Sequence, residues 1–137
     1  MSILNTRLAE TAQQAGVIEP FDFAIFQDHG YRGLYGGETA SQIAARKGLG
    51  RGQHILDFMG SDELAANIFR ASQTKQKLER DQVHSKEQAN QTHYQVGHKV
   101  RQTIQELGGT MPEDLPTPGE SIQELERKEQ KRLKGSE

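Results

Sequence analysis

The sequence predicts a mainly α-helical fold: a compact helical domain, a small extended or β element near residues 21–37, and a charged helix at the C-terminal end. Apolar residues recur at helical spacing along most of the chain, most clearly Val96, Val100, Ile104 and Leu107. Glycines and capping residues punctuate that pattern at intervals suited to short helices. Only Phe21, Phe23 and Ile25 alternate with other residues as a strand would. The 137 residues suffice for one domain, read as 1–109, followed by a proline-rich connector (110–119) and a terminal helix or tail (120–137).

The first element, "ILNTRLAETAQQAG", places Ile3, Leu4, Leu8, Ala12 and Ala15 on one side, with Gly16 as its C-terminal cap. Pro20 interrupts the pattern. The strand-like run after it has three ways to be satisfied: pairing around the glycine-rich stretch, extended packing, or pairing with a second subunit. Thr39 or Ser41 caps "SQIAARKG", which stops near Gly48, and "LGRGQHILDFMG" forms a second short helix. "SDEL" places acids in the first turn of the next helix, where the helix dipole favours them. Leu64, Ile68 and Ala71 form its apolar stripe, with Ala65 and Phe69 beside it. From Ser72 to Thr92 only Leu78, Val83 and Ala89 are apolar, so this span is one solvated helix or a helix–loop–helix. "THYQVGHKVRQTIQELGG" is an amphipathic helix ended by Gly108 and Gly109. The terminal helix sets Ile122, Leu125, Glu129 and Leu133 on a narrow face.

Hydrophobic content is 33%, against about 45–50% in typical domains, so the core is thin and dimerisation is expected to complete it. The absence of cysteine removes disulfides and thiolate metal sites. With no signal-peptide core and no run long enough for a bilayer, a soluble, cytoplasmic protein with no membrane partner is expected. Net charge is -2, but seven Lys and Arg between Arg70 and Arg101 face only Glu79, Asp81 and Glu87. Such a basic middle suits a phosphate backbone or the solvated face of a long helix.

"FQDHGYRGLYGG" lacks the spacing of a phosphate-binding or dinucleotide-binding loop. It reads as glycine-permitted turns on which the tyrosines pack, presenting Tyr31, Arg32 and Tyr35 as candidate partner contacts. His93 and His98 are five apart and do not converge on a helix, so no metal, cofactor or catalytic group is expected. "TASQIAARKGLGRGQHILDFMG" resembles a helix-turn-helix with Arg51, Gln53 and His54 toward bases and Arg46 and Lys47 on phosphates. A plain helical hairpin has the same pattern. Arg70, Lys75, Lys77 and Arg80 complete the candidate contacts for nucleic acid or an acidic partner.

"RLAETAQQAGVIEPFDFAIFQDHGYRGLYGG", "RKGL", "QHILDFMGSDELAANIFRASQTKQKLERD" and "ANQTHYQVGHKVRQTIQELGGTMPEDLPTP" together resemble the C-terminal part of the DNA-damage-inducible protein D family, over about residues 5–125. Proteins of that family usually carry an N-terminal domain similar to the Bro/antirepressor type, and this chain begins where that domain would end. The resemblance implies a bacterial, cytoplasmic protein of the SOS response that affects RecA–single-stranded-DNA filaments. It brings no catalytic residues. The expected function is therefore a non-enzymatic interaction module whose partner is a RecA filament, another DNA-repair protein or DNA. A helix-turn-helix regulator of the antirepressor kind and a protein inhibitor of a host factor are the alternatives.

Overall fold

The computed structural model describes residues 3–119 and 122–135. Six helices follow in order: α1 (Ile3–Gln14), α2 (Pro20–Leu34), α3 (Ala40–Arg46), α4 (Ser61–Arg80), α5 (Lys86–Glu106) and α6 (Ile122–Gly135). Short 3₁₀ turns lie at Ile55–Phe58 and Pro112–Asp114. The mainly helical expectation holds, and Ser72–Thr92 resolves into a helix–loop–helix, because α4 stops at Arg80 and α5 starts at Lys86.

No strand occurs among the described residues, which corrects the extended element expected near 21–37. Pro20 starts α2 rather than interrupting a helix, since its fixed φ suits the first turn and its missing N–H is not needed there. The Phe21/Phe23/Ile25 alternation was coincidental. Phe21 lies on the outside of α2, 74% exposed, while Phe26, Tyr31 and Leu34 turn inward.

Helices α1 to α5 end in one device. The amide two residues past each cap returns to the helix: Val17 to the Ala12 carbonyl, Gly37 to Arg32, Leu49 to Ala44, Val83 to Leu78 and Gly109 to Ile104. The residue between must take positive φ. It is glycine in four cases and Gln82 (φ 49°) in the fifth. At the N-terminal end of α3, Thr39 and Gln42 form a reciprocal capping box, as the sequence predicts.

Two apolar clusters make the core. One joins Leu8, Ala12, Ala15 and Val17 of α1 and its C-cap to Phe26, Ala71, Leu78, Val83 and Ala89. The other gathers Tyr31, Leu34, Tyr35, Ile43, Met59 and Val100. The side chains of Ile3, Leu4, Ile122 and Leu125, which the sequence assigns to apolar faces, lie outside the described residues. Leu107, expected on the apolar face of α5, is 81% exposed just past the helix end.

The tightest contact is between α2 and α5, and small residues make it possible. A Cβ on Gly33 would lie 2.3 Å from the Tyr94 carbonyl oxygen, and one on Gly97 2.6 Å from that of Gly30. One on Gly30 would strike the His93 ring. Gly30 and Gly33 are thus helical residues at a helix crossing, not the hinge of a turn region. Only Gly36 and Gly37 in that stretch have positive φ. Arg101 of α5 fastens the end of α2: its Nη1 donates to the Leu34 carbonyl (3.1 Å), and its guanidinium pairs with both Glu113 carboxylate oxygens (2.8 Å each). The proline-rich segment is packed down by that pair, by buried Pro112, and by Thr117, whose hydroxyl accepts from Lys47.

Candidate functional site

On α4 the apolar stripe expected from the sequence holds only in part: Ala71 is buried and Leu64 packs against the core, but most of the inward face is polar. The buried face carries Glu63, Asn67, Arg70, Thr74 and Leu78, at steps of 4, 3, 4 and 4. Ile68, read in the apolar stripe, and Phe69, read beside it, are 46% and 53% exposed. A helix can bury polar side chains only where each finds partners, and here they do so collectively.

The Lys47 ammonium lies between the Glu63 carboxylate (2.8 Å), the Phe58 carbonyl (3.1 Å) and the Thr117 hydroxyl (3.2 Å), with both charged side chains fully shielded from solvent. The Tyr35 hydroxyl donates a short hydrogen bond to the other Glu63 oxygen and accepts from Asn67 Nδ2 (2.9 Å). Asn67 Oδ1 accepts from Arg70, whose Nη1 donates to His93 Nε2. His93 Nδ1 donates to the Phe26 carbonyl (2.8 Å). The tautomer follows from these partners: Nδ1 carries the proton and Nε2 is the acceptor, so the ring is neutral. Burial and the adjacent Arg70 charge hold the His93 pKa well below its ordinary value. Arg70 lies 4.9 Å over the Tyr31 ring, whose electron-rich face attracts its charge, while its Nε is buried without a partner. Phe26 stacks on His93 at 4.2 Å, so the Arg70–His93 pair joins the two apolar clusters. Burial, then the hydrogen bond to Glu63, pushes the Tyr35 hydroxyl far up, so it stays a donor.

This network removes several sequence-predicted contacts from the surface. Arg70 (1% exposed), Tyr31 (6%) and Tyr35 (1%) are core residues, and the Lys47 ammonium is sealed against Glu63. The helix-turn-helix reading also falls. After α3 the chain runs as loop and 3₁₀ turn, because Gly48, Gly50 and Gly52 prevent a second helix. Arg51 and Gln53 are exposed on that loop, with Gln53 Oε1 accepting from the Gly50 amide (2.7 Å). Arg46 pairs with Glu38 at 3.0 Å, and Arg32 is exposed near the end of α2. On α4, Lys75 pairs with Glu79 (2.7 Å) and Lys77 with Asp81 (2.9 Å), while Arg80 reaches outward, 68% exposed.

The exposed side of α4 and the neighbouring side of α5 enclose a groove. One part, about 400 Å³, is lined by Ala65, Ala66, Phe69, Val100, Ile104 and Leu115, among others, with Asp62 at its edge. A second part of about 230 Å³ shares Phe69, Val100 and Thr103 with the first and ends among Lys77, Arg80 and Lys99. From the sequence, Lys99 counts only toward net charge and Phe69 stands beside the apolar stripe of α4. The steps of polar residues 63, 67, 70 and 74 were the available signal that α4 buries a polar row beside Ala71. Among the described residues no group of three His, Asp or Glu is arranged to hold a metal ion, and no helix is long and apolar enough to cross a membrane.

Residues 1–125 match the family model of the DinD C-terminal domain. DNA damage-inducible protein D of Escherichia coli (strain K12) is 67% identical over 122 residues. That match covers 89% of this chain but only 44% of the relative, so the chain corresponds to the relative's C-terminal part. No solved structure matches.

Proposed function

This chain belongs to the DinD C-terminal domain family, and from that membership we propose that it is a non-enzymatic, DNA-damage-associated interaction module that acts on RecA–single-stranded-DNA filaments. The DNA-damage role follows from the family and from the E. coli relative's name. The filament is the partner that the resemblance of the sequence implies. The observation that carries the reading is how the polar residues are distributed. Glu63, Lys47, Tyr35, His93 and Arg70 are committed to one another in the interior. Among the side chains left at the surface, the cations Lys77, Arg80 and Lys99 gather beside the apolar Phe69 at one end of the α4–α5 groove, while Arg32 and Arg51 are exposed outside it. Such a patch suits contacts to acidic or phosphate-bearing partners.

The test is to add the protein at micromolar concentration to RecA filaments preformed on fluorescein-labelled oligo(dT) and to follow anisotropy together with co-sedimentation. A change in filament lifetime or RecA occupancy is expected. Filaments that behave as in buffer alone would remove the reading. Affinity purification from damaged cells, with and without nuclease, then separates a protein partner from DNA: capture that survives nuclease is expected.

A further inference from the structure

The groove between α4 and α5 has a shape and charge that the reading above does not specify. We infer that it is a docking site for an amphipathic helix of a partner protein, lying with an apolar edge on Phe69, Val100 and Ile104 and acidic residues toward Lys77, Arg80 and Lys99. This rests on the partner's being a protein.

Three observations carry it. The lining residues of α4, from Asp62 through Ala65, Phe69 and Gln73 to Lys77 and Arg80, form one stripe along the helix. At ~1.5 Å per residue the stripe is about 27 Å long, the length of a helix of about 18 residues. The floor is apolar and open where an internal helix pair would have closed it, leaving Phe69 53% exposed beside it. A helix laid in such a groove buries its apolar edge at i, i+3/i+4 and i+7.

The charge is graded along the groove. At one end, Asp81 pairs with Lys77 and lies 3.8 Å from Arg80, whereas Lys99 has no ion pair among the described residues. Two cations are left over there. At the other end stands Asp62. A docked helix therefore sets its C-terminal end, where the dipole is negative, and its carboxylates toward Lys77, Arg80 and Lys99. A single DNA strand would follow a continuous row of cations and stack its bases on successive aromatics. This groove offers Phe69 alone among apolar aliphatic walls, so a helix fits it better.

The test uses the full chain, ¹⁵N-labelled, and two 18-residue probe peptides. Both have leucine along one edge; one carries glutamates on its flanks and in its last turn, and the other carries lysines at those positions. The glutamate peptide is expected to shift the amides of Phe69, Gln73, Val96 and Thr103, and to bind at least tenfold more tightly than the lysine peptide. Phe69→Asp should weaken it about tenfold, and Lys77→Glu/Arg80→Glu/Lys99→Glu should reverse the preference between peptides. All these positions are at the surface, and thermal melts check that the variants fold. No binding, equal binding of both peptides, or shifts confined to other helices would overturn the inference. So would oligo(dT) shifting the same amides more strongly, or concentration-dependent broadening there without peptide, which would mean that a second copy occupies the groove. RecA is absent from this experiment, so its failure leaves the filament reading standing. Peptide binding without any filament effect would remove that reading alone.

Discussion

Against α2, helix α5 is closed: Gly30, Gly33 and Gly97 bring the two backbones into contact, and no side chain larger than hydrogen fits between them. Against α4 the same helix leaves a groove, with Phe69 half out of it and Lys77, Arg80 and Lys99 at one end. The two sides of α5 do different work. The closed side fixes where the helices cross, and the buried polar network beside it fixes how α4 is rotated. That rotation, paid for by satisfying Glu63, Asn67 and Arg70 internally, turns Ile68 and Phe69 outward and makes the open side a binding surface.

Breaking the closed side should have the largest effect. Gly33→Val sets a branched side chain on the Tyr94 carbonyl, and a loss of about 5 kcal/mol or more, comparable to the whole stability of a small domain, is expected. Circular dichroism at 25 °C should find the variant largely unfolded. Lys47→Met comes next. It leaves the Glu63 carboxylate buried with the Tyr35 hydroxyl but no cation, and urea unfolding should register about 3–5 kcal/mol.

A smaller effect depends on pH. The folded-state pKa of His93 is depressed, so below about pH 6.5 the unfolded chain takes up a proton that the folded chain refuses. Stability is full above that pH and falls as the pH drops toward the depressed value, with a contribution approaching about 1.4 kcal/mol per pH unit. His93→Gln should flatten this part of the curve between pH 6.5 and 5. A curve of unchanged slope would assign the effect to another group. Gln82→Gly relieves the one non-glycine residue at positive φ among the described residues, and a gain of about 0.5–1 kcal/mol in urea midpoint analysis is expected.

Much of the local structure was legible in the sequence. Gly16, Gly48 and Gly108 end helices where expected, and Thr39 caps α3, because these signals act within a few residues. What could not be read depends on distant partners. Nothing near Arg70 in sequence announces His93, 23 residues on, and nothing near Glu63 announces Lys47 or Tyr35. The rule that apolar residues face inward therefore placed Leu64 and Ala71 but misplaced Ile68 and missed the buried polar row. "FQDHGYRGLYGG" was misread for a related reason. Glycines suggest turns locally, but Gly30 and Gly33 are needed to meet His93 and Tyr94, more than 60 residues later. The groove was hidden with them, since its existence follows from the rotation of α4.

The smallest expected effect on stability belongs to Phe69→Asp, within about 0.5 kcal/mol because the side chain is already half in water. That makes it the sharpest probe of the division of labour between the two sides of α5. The decisive measurement compares wild type, Phe69→Asp and Gln91→Glu, a change at an exposed position of α5 lining neither part of the groove, in the RecA-filament anisotropy assay at equal folded concentration. Loss of the filament effect in Phe69→Asp, with Gln91→Glu near wild type, is the predicted result. An undiminished effect in Phe69→Asp, or a loss that tracks only its thermal stability, would contradict the account.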